Sequence, residues 1–445
     1  MSKIMIFAKE FSSGMIHDYN ILVKHVPFRC VQFEGNSKQK AKAVKTVYIK
    51  ILLEHIDPIW LTIPSQYTYY MPNHEQLTEW DVKYLPTMDK ILCKNQYTYN
   101  MMPPKNRVLT KFTSACSTST AHKDYTLVVH FGGTSYMKGT LQLLRAWVSN
   151  KGFTHVNKDI KLLFTCNPRF NKNIVQYWRS LKPTKCSTCI GRTTACEKFN
   201  NMYYVEHLPV NDFNYFSAKA GIRIQPSIME GYGHVINEGR CNHTLTMTTD
   251  APPMNELITD KKCLIRVKHT KPSYEIFKPF AAKYKYMHRG KSKAHYIDPS
   301  DFKTKMENII TMSLSEKNKI VNAQFKQYEK DTAEFGAAIN KLFNTVGGRP
   351  PMKRTINVIT VSKELRVACD AMLDHGFNIR HYDKYPSCNI PSFITITDVM
   401  PLAELPSSYI IMYAKTVPRC IHPRITFVNQ LSGIGKLCAA LHKGA

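Results

Sequence analysis

Gln225-Pro-Ser-Ile-Met-Glu-Gly-Tyr-Gly-His-Val-Ile-Asn-Glu-Gly239 carries the most informative pattern in the chain. The pattern predicts a strand over residues 221–225, a loop flanked by Gly231 and Gly233, and a helix opening near His234. The first backbone N–H groups of such a helix have no intrahelical partner, and its dipole adds positive potential. The loop is therefore suited to a diphosphate or to sugar hydroxyls. Glycine fits there because a side chain would hold the ligand away. Glu230 lies at the loop and Glu238 about two turns into the helix, so each carboxylate can accept from vicinal hydroxyls. The alternative makes Glu230 a helix cap and Glu238 a solvated surface residue; the surrounding sequence argues against it.

Working outward, the chain opens with a predicted strand at residues 3–8, a turn at Ser12-Ser13-Gly14 and an apolar segment of helical spacing over 15–23. Further strands are expected at 47–53, 59–63, 90–93, 127–131, 160–166 and 245–249, with helices at 140–147 and 234–241. Alternation of this kind predicts an α/β fold with parallel sheets covered by helices. A polar stretch over 114–123 suggests a boundary near 120–126, and Thr345-Val-Gly-Gly-Arg-Pro-Pro-Met352 reads as a linker. The expected organisation is therefore an N-terminal domain over 1–122, a second domain over 123–344 and a small α/β appendage over 353–445. Strands at 356–361, 393–397 and 409–413 and a helix at 363–375 are expected in the appendage.

Composition bounds the function. A chain of 445 residues exceeds one ordinary core. Its 43% hydrophobic and 21% charged residues exclude disordered and collagen-like classes. Lys and Arg number 61 against 33 Asp and Glu, so a formal charge of +28 calls for an anionic partner or a Lys-rich solvated surface. No run approaches the ~18 apolar residues of a membrane helix, and the N-terminal apolar stretch is too short for a signal peptide. A cytoplasmic protein is expected. Thirteen scattered cysteines read as reduced thiols.

Three blocks carry a family likeness. The stretch 225–239, running on through Thr248-Thr-Asp-Ala-Pro-Pro-Met-Asn-Glu256, resembles the donor-site signature of glycosyltransferase family 4, with its two glutamates separated by seven residues. His130-Phe-Gly-Gly-Thr-Ser-Tyr-Met-Lys-Gly-Thr140 is similar to the strand, loop and Lys-Gly element that opens the nucleotide-binding domain of that family. Pro72-Asn-His-Glu75, Trp80-Asp81 and Asp89-Lys-Ile-Leu-Cys-Lys94 are similar to a bacterial and fungal subgroup, and the likeness spans residues 3–310.

The resemblance implies a GT-B fold, two Rossmann-like domains facing across a cleft, here followed by the appendage. It implies that Lys138 neutralises the donor diphosphate and that Glu238 binds the nucleotide ribose. Glu230, with the backbone of Gly231, Tyr232 and Gly233, would hold the transferred sugar. Gly132 and Gly133 fall in the donor loop. His130 at the strand end is a further catalytic candidate, or else a satisfied structural histidine. Ser13, Gly14 and Asp18 resemble the acceptor-side loop. Transfer with retention follows from the resemblance, with a nucleoside-diphosphate sugar as co-substrate, no other cofactor and no metal. The family's arginine five residues before the lysine is Gly133 here, and Lys94, Arg169 and Arg223 are candidates to replace its charge.

Weaker signals remain. Cys186-Ser-Thr-Cys189 with Cys196 and His207 reads as reduced cysteines in a polar insertion, with a structural zinc as the alternative. Gly433-Ile-Gly-Lys436 lacks the spacer of a phosphate loop and reads as an ordinary helix start. The basic, aromatic run over 284–293 reads as a solvated loop, with single-stranded nucleic acid or phosphate binding as the alternative. The expected activity is sugar transfer to a hydroxyl on a glycan, lipid or protein. The alternatives are transfer to hydroxylated bases in DNA and an inactive protein that binds sugar nucleotides or nucleic acid. A peripheral membrane surface is a further candidate partner.

Overall fold

In β1 (Lys3–Ala8) the consecutive side chains Ile4, Met5, Ile6, Phe7 and Ala8 are all buried, as befits a parallel strand covered on both faces. The computed structural model describes residues 3–10, 13–26, 28–44, 47–114, 122–277 and 292–345, and the strands 355–359, 378–382, 394–397, 409–413 and 425–428. These residues fall into two units, Ser2–Lys341 and Leu342–Ala445.

In the first unit, β1 pairs in parallel with β2 (Arg29–Glu34) and β3 (Val47–Glu54). With β4 (Ser65–Pro72), β5 (Lys90–Cys93) and β6 (Arg107–Leu109) they form a parallel sheet of order β2-β1-β3-β4-β5-β6. The intervening helices are α1 (Ser13–His25), α2 (Lys38–Ala43), α3 (Pro58–Leu61), α4 (Glu79–Tyr84) and α5 (Gln96–Met101). Phe7, Phe33, Trp60, Tyr70 and Ile91 meet in the core beside this sheet.

Residues 59–63 are not a strand, contrary to their apolar run. Asp57 caps α3 by accepting from the Ile59 amide, and Pro58 supplies a pre-set first helical position. The turn carries Trp60 into the core, where its indole N–H donates to Gly35 O at 2.8 Å. Buried Lys50 donates to the Trp60 and Ile63 carbonyls at 3.1 and 2.8 Å, satisfying the end of that turn.

The second sheet has order β14-β13-β12-β7-β8-β11-β10-β9. Its strands are β7 (Asp124–Phe131), β8 (Lys161–Thr165), β9 (Thr184–Cys186), β10 (Cys196–Phe199), β11 (Met202–Val205), β12 (Ala220–Gln225), β13 (Leu245–Thr249) and β14 (Leu264–Ile265). β10 pairs antiparallel with both β9 and β11, and the other pairings of this sheet are parallel. Helices α6 (Thr140–Ser149), α7 (Lys172–Ser180), α8 (Val210–Lys219), α9 (His234–Cys241), α10 (Met254–Leu257) and α11 (Ser273–Phe277) connect them and lead on. A hairpin of β15 (Val267–Pro272) and β16 (Lys293–Ile297) and the helices Pro299–Thr311 and Leu314–Thr345 follow.

Strand order locates the site. From β7 the chain moves outward through β8 to β11, then returns to the other side of β7 as β12 and continues through β13 to β14. The connections leaving β7 and β12 therefore diverge, which opens a crevice outside their carboxyl ends. The two loops at that crevice are residues 132–139 and 226–233.

The second unit has a parallel sheet of order β18-β17-β19-β20-β21, from β17 (Thr355–Ile359), β18 (Asn378–Tyr382), β19 (Ile394–Thr397), β20 (Tyr409–Tyr413) and β21 (Ile425–Val428). The helix expected at 363–375, the linker residues 346–352, the basic segment 284–291 and Gly433 to Lys436 lie outside the described residues.

Candidate active site

The two crevice loops are tied to each other by a backbone bond, Ile228 N–H donating to Met137 O at 2.8 Å, and the first is fixed to the end of β8 by Gly132 N–H donating to Thr165 O at 3.1 Å. Tyr136–Lys138 forms one tight turn whose start is capped by Ser135. Gly139 then adopts φ 75° to begin α6, and a Cβ there would collide with the Pro226 carbonyl. Glycine at 139 is what allows the loops to touch.

That contact brings Lys138 to Glu230. Lys138 Nζ lies 2.8 and 2.7 Å from the two oxygens of Glu230, whose Oε1 also accepts from Ser227 Oγ at 2.5 Å. The Lys138 side chain keeps 18% of its surface and Glu230 only 6%. Glu230 is not a helix cap: α9 starts from Gly233 at φ 105°, with no side chain bonded to its first turn. Glu238 stands on α9, 17% exposed, with its Oε2 3.6 Å from Nη1 of wholly buried Arg223. Burial lowers the Arg223 guanidinium to about 10 while Glu238 opposes that shift, and Arg223 also donates to Val235 O at 2.8 Å.

His130 corrects an expectation. It is 0% exposed, its Nδ1–H donates to Ile224 O at 2.8 Å, and its Nε2 accepts from the Thr140 hydroxyl at 2.8 Å. Burial pushes it down to about 4 and keeps it neutral. No ring nitrogen is left for sugar or phosphate, so His130 fastens the start of α6 and is not a catalytic group. A Cβ on Gly132 would press on Thr140 Oγ1 at 2.5 Å, whereas one on Gly133 would meet open space.

The acceptor-side candidates do not form an open loop. Among them, Gly14 has free space beside its Cα, and the Ser13 side chain lies outside the described residues. Asp18 is buried: Oδ2 accepts from Lys94 Nζ at 2.5 Å and Oδ1 from His234 Nε2 at 2.9 Å. Burial alone would raise this carboxyl, but Lys94 and His234 carry it below its ordinary value. Asp18 therefore joins α1 and the end of β5 to α9, a structural role in place of an acceptor contact.

Further contacts join the first sheet's connections to the second sheet's loops, and among them the roles of Asn95 and Glu256 were missed by sequence reading. Lys94 also donates to Asn73 Oδ1 at 2.8 Å, and Asn95 Nδ2 donates to Gly231 O at 2.8 Å. Glu256 accepts from the Gln96 and Tyr97 amides at 2.7 Å each, capping α5 from across the crevice. Tyr232 donates its hydroxyl to Phe112 O, and His234 Nδ1 meets Ser114 Oγ at 2.8 Å. Of the cations weighed as replacements at Gly133, Lys94 and Arg223 are thus engaged in ion pairs. Arg169 is exposed on the loop after β8, which is joined to Gly133 by Asn167 N–H donating to Gly133 O at 2.8 Å.

Cys186 and Cys196 are opposite one another on β9 and β10, and Cys189 is wholly buried with its thiol pushed up by burial. Among the described residues no group of three His, Cys, Asp or Glu is arranged to hold a metal ion. Cys241 is disulfide-bonded, which departs from the all-thiol expectation. No helix among the described residues is long and apolar enough to cross a membrane.

No protein-family model and no curated protein sequence matches the chain. Solved structures match in shape. A trehalose-6-phosphate synthase studied with bisubstrate glycomimetics for glycosyl transfer with retention is 8% identical, with 77% of this chain and 99% of that chain covered and a TM-score of 0.51. A trehalose-6-phosphate protein from E. coli bound with UDP-2-fluoro glucose is also 8% identical, covering 77% and 98%, at a TM-score of 0.50. The fold is of the GT-B type. The chain spans 59% of the length of a GtfA/B complex chain, 10% identical at a TM-score of 0.46, and 69% of this chain is covered. Identities this low speak of fold alone.

Proposed function

We propose that the chain is a glycosyltransferase that moves a sugar, with retention, from a nucleoside-diphosphate sugar to a hydroxyl on a glycan, lipid or protein. The observation that carries this is the Lys138–Glu230 pair at the β7/β12 crevice, with Glu238 beside it on α9. Residues 123–344 would hold the donor and residues 1–122 would face the acceptor.

Lys138 is exposed enough to leave Glu230 for a diphosphate, and the uncapped start of α9 adds partial positive charge to the same place. Released from Lys138, Glu230 would accept from the hydroxyls of the transferred sugar, oriented by Ser227. Glu238 would accept from the ribose. Arg169 is the cation best placed to supply the charge absent at Gly133. In the step itself the bond from the sugar's anomeric carbon to the phosphate oxygen breaks and a bond to the acceptor oxygen forms on the same face. The acceptor's proton passes to the leaving diphosphate. Lys138, Arg169 and the helix end would offset the charge that develops there, so this reading requires no metal.

The test is nucleoside diphosphate release from UDP-glucose, UDP-galactose, UDP-N-acetylglucosamine and GDP-mannose, with glycan, lipid and protein acceptors added in turn. Acceptor-stimulated release from one donor is expected. Glu238→Ala should weaken nucleotide binding about tenfold or more by calorimetry, and Glu230→Ala should spare that affinity and lose transfer. Equal nucleotide affinity in wild type and Glu238→Ala would remove the site assignment.

A further inference from the structure

Three polar residues in succession are buried at the carboxyl end of β4: Asn73, His74 and Glu75, the last two in a single tight turn, His74–Gln76. Burying such groups costs free energy unless each finds a partner. Asn73 has two, donating to Glu54 Oε1 at 3.1 Å and accepting from Lys94. His74 Nδ1 meets Thr98 Oγ1 at 3.1 Å. Glu75 differs: it is 4% exposed, yet its Oε2 has no hydrogen-bond partner.

The other oxygen of the Glu75 carboxyl, Oε1, lies against the loop proposed to hold the sugar. A Cβ built on Gly231 would lie 2.7 Å from Glu75 Oε1 and 2.7 Å from Asn73 Oδ1. Glycine at 231 is therefore what lets this carboxyl approach the loop from the other sheet. Burial, with further repulsion from Glu54 and Glu230 and opposed by Lys94, pushes Glu75 up to about 8. His74, whose Nδ1 is 3.9 Å from Oε2, is held down to about 3 by burial and stays neutral. At neutral pH Glu75 thus carries a proton and can donate a hydrogen bond.

We infer that Glu75 is a sugar-specificity residue supplied by the first sheet, its carboxyl hydrogen-bonding one hydroxyl of the sugar held against Gly231. This rests on the proposed sugar-transfer reading. A site built to pair with a substrate hydroxyl discriminates strongly against the analogue lacking it. A carboxyl that donates also loses that bond on ionising, and gains repulsion from Glu230.

The experiment compares wild type, Glu75→Gln and Glu75→Ala on the active donor and its monodeoxy analogues, reading kcat/KM, alongside affinity for the free nucleoside diphosphate. In wild type one deoxy analogue is expected to lose about tenfold or more. That loss should collapse in Glu75→Ala while nucleoside diphosphate affinity stays unchanged. Wild-type kcat/KM should fall as pH rises through about 8, and Glu75→Gln should remove that limb, an effect that a merely structural role does not produce. Identical deoxy penalties in wild type and Glu75→Ala, or an unaltered alkaline limb in Glu75→Gln, overturn the inference and leave sugar transfer standing. A wild type that binds and turns over none of the donors overturns the sugar-transfer reading as well.

Discussion

Two polar clusters face each other across the crevice, and they are built on different plans. Lys138 and Glu230 come from two loops of one sheet, and Lys138 keeps 18% of its side chain exposed. Asp18 and Lys94 are 1% and 3% exposed, and Asp18 also binds His234 of the opposite sheet's α9. A partly exposed pair can exchange its partner for a ligand, because water and then phosphate replace the lost contact. A fully buried one cannot open without stranding a charge. On the proposed reading the first pair is poised for substrate, whereas the second holds the two sheets together.

The largest effect is expected at Lys138. If Lys138 is the cation that meets the leaving diphosphate, as proposed, its removal in Lys138→Ala should lower kcat/KM by about a hundredfold to a thousandfold. Steady-state nucleoside diphosphate release measures this. A loss below about threefold would mean that the pair is as structural as the Asp18 cluster, and that phosphate is met elsewhere.

Asp18 should show the opposite profile, a stability effect. Asp18→Asn leaves buried Lys94 without its carboxylate and should cost about 3 kcal/mol in chemical denaturation. The native Asp18 carboxyl is held below its ordinary value, so its contribution is present above about pH 4 and is lost as pH falls through the lowered native value. Asp18→Asn should remove that part of the acid dependence. An unchanged acid limb would separate the cluster from the stability of the fold.

The site's two halves were also unequally legible in the sequence. α9 runs His234–Cys241 as its spacing predicts, and the Gly-flanked loop and Lys138 fall at the crevice because strand, loop and helix are local patterns. The first-sheet half was read poorly. Asn95 reaches Gly231 across 136 residues, and Lys94 reaches Asp18 across 76, so neither pairing leaves a local signal. Pro72-Asn-His-Glu75 stood out only by its likeness to a glycosyltransferase subgroup, and the burial of Asn73, His74 and Glu75 at the turn His74–Gln76 left no local signal. Residues 59–63 misled because an apolar run of that length suits a buried strand or a buried turn equally, and Asp57-Pro58 decided for the turn. β2 escaped notice because it lies at the sheet edge with most of its residues partly or fully exposed, so its sequence shows no continuous apolar run.

His130 should show a smaller effect, on stability alone. It belongs to the same conspicuous sequence block as Lys138, yet it is buried beneath the loop with both ring nitrogens bonded. His130→Gln should lose about 1 to 2 kcal/mol in chemical denaturation as those bonds weaken. Because burial holds the imidazole down to about 4, it is already neutral throughout the range in which transfer would be assayed. It should therefore contribute no ionisation to the kcat/KM profile near pH 6 to 7, where an ordinary histidine titrates at about 6.5. A limb in that interval that disappears in His130→Gln would return His130 to the chemistry. An unshifted profile with a lowered denaturation midpoint would show that adjacency to Lys138 in the sequence marks the support of the loop and Lys138 its working end.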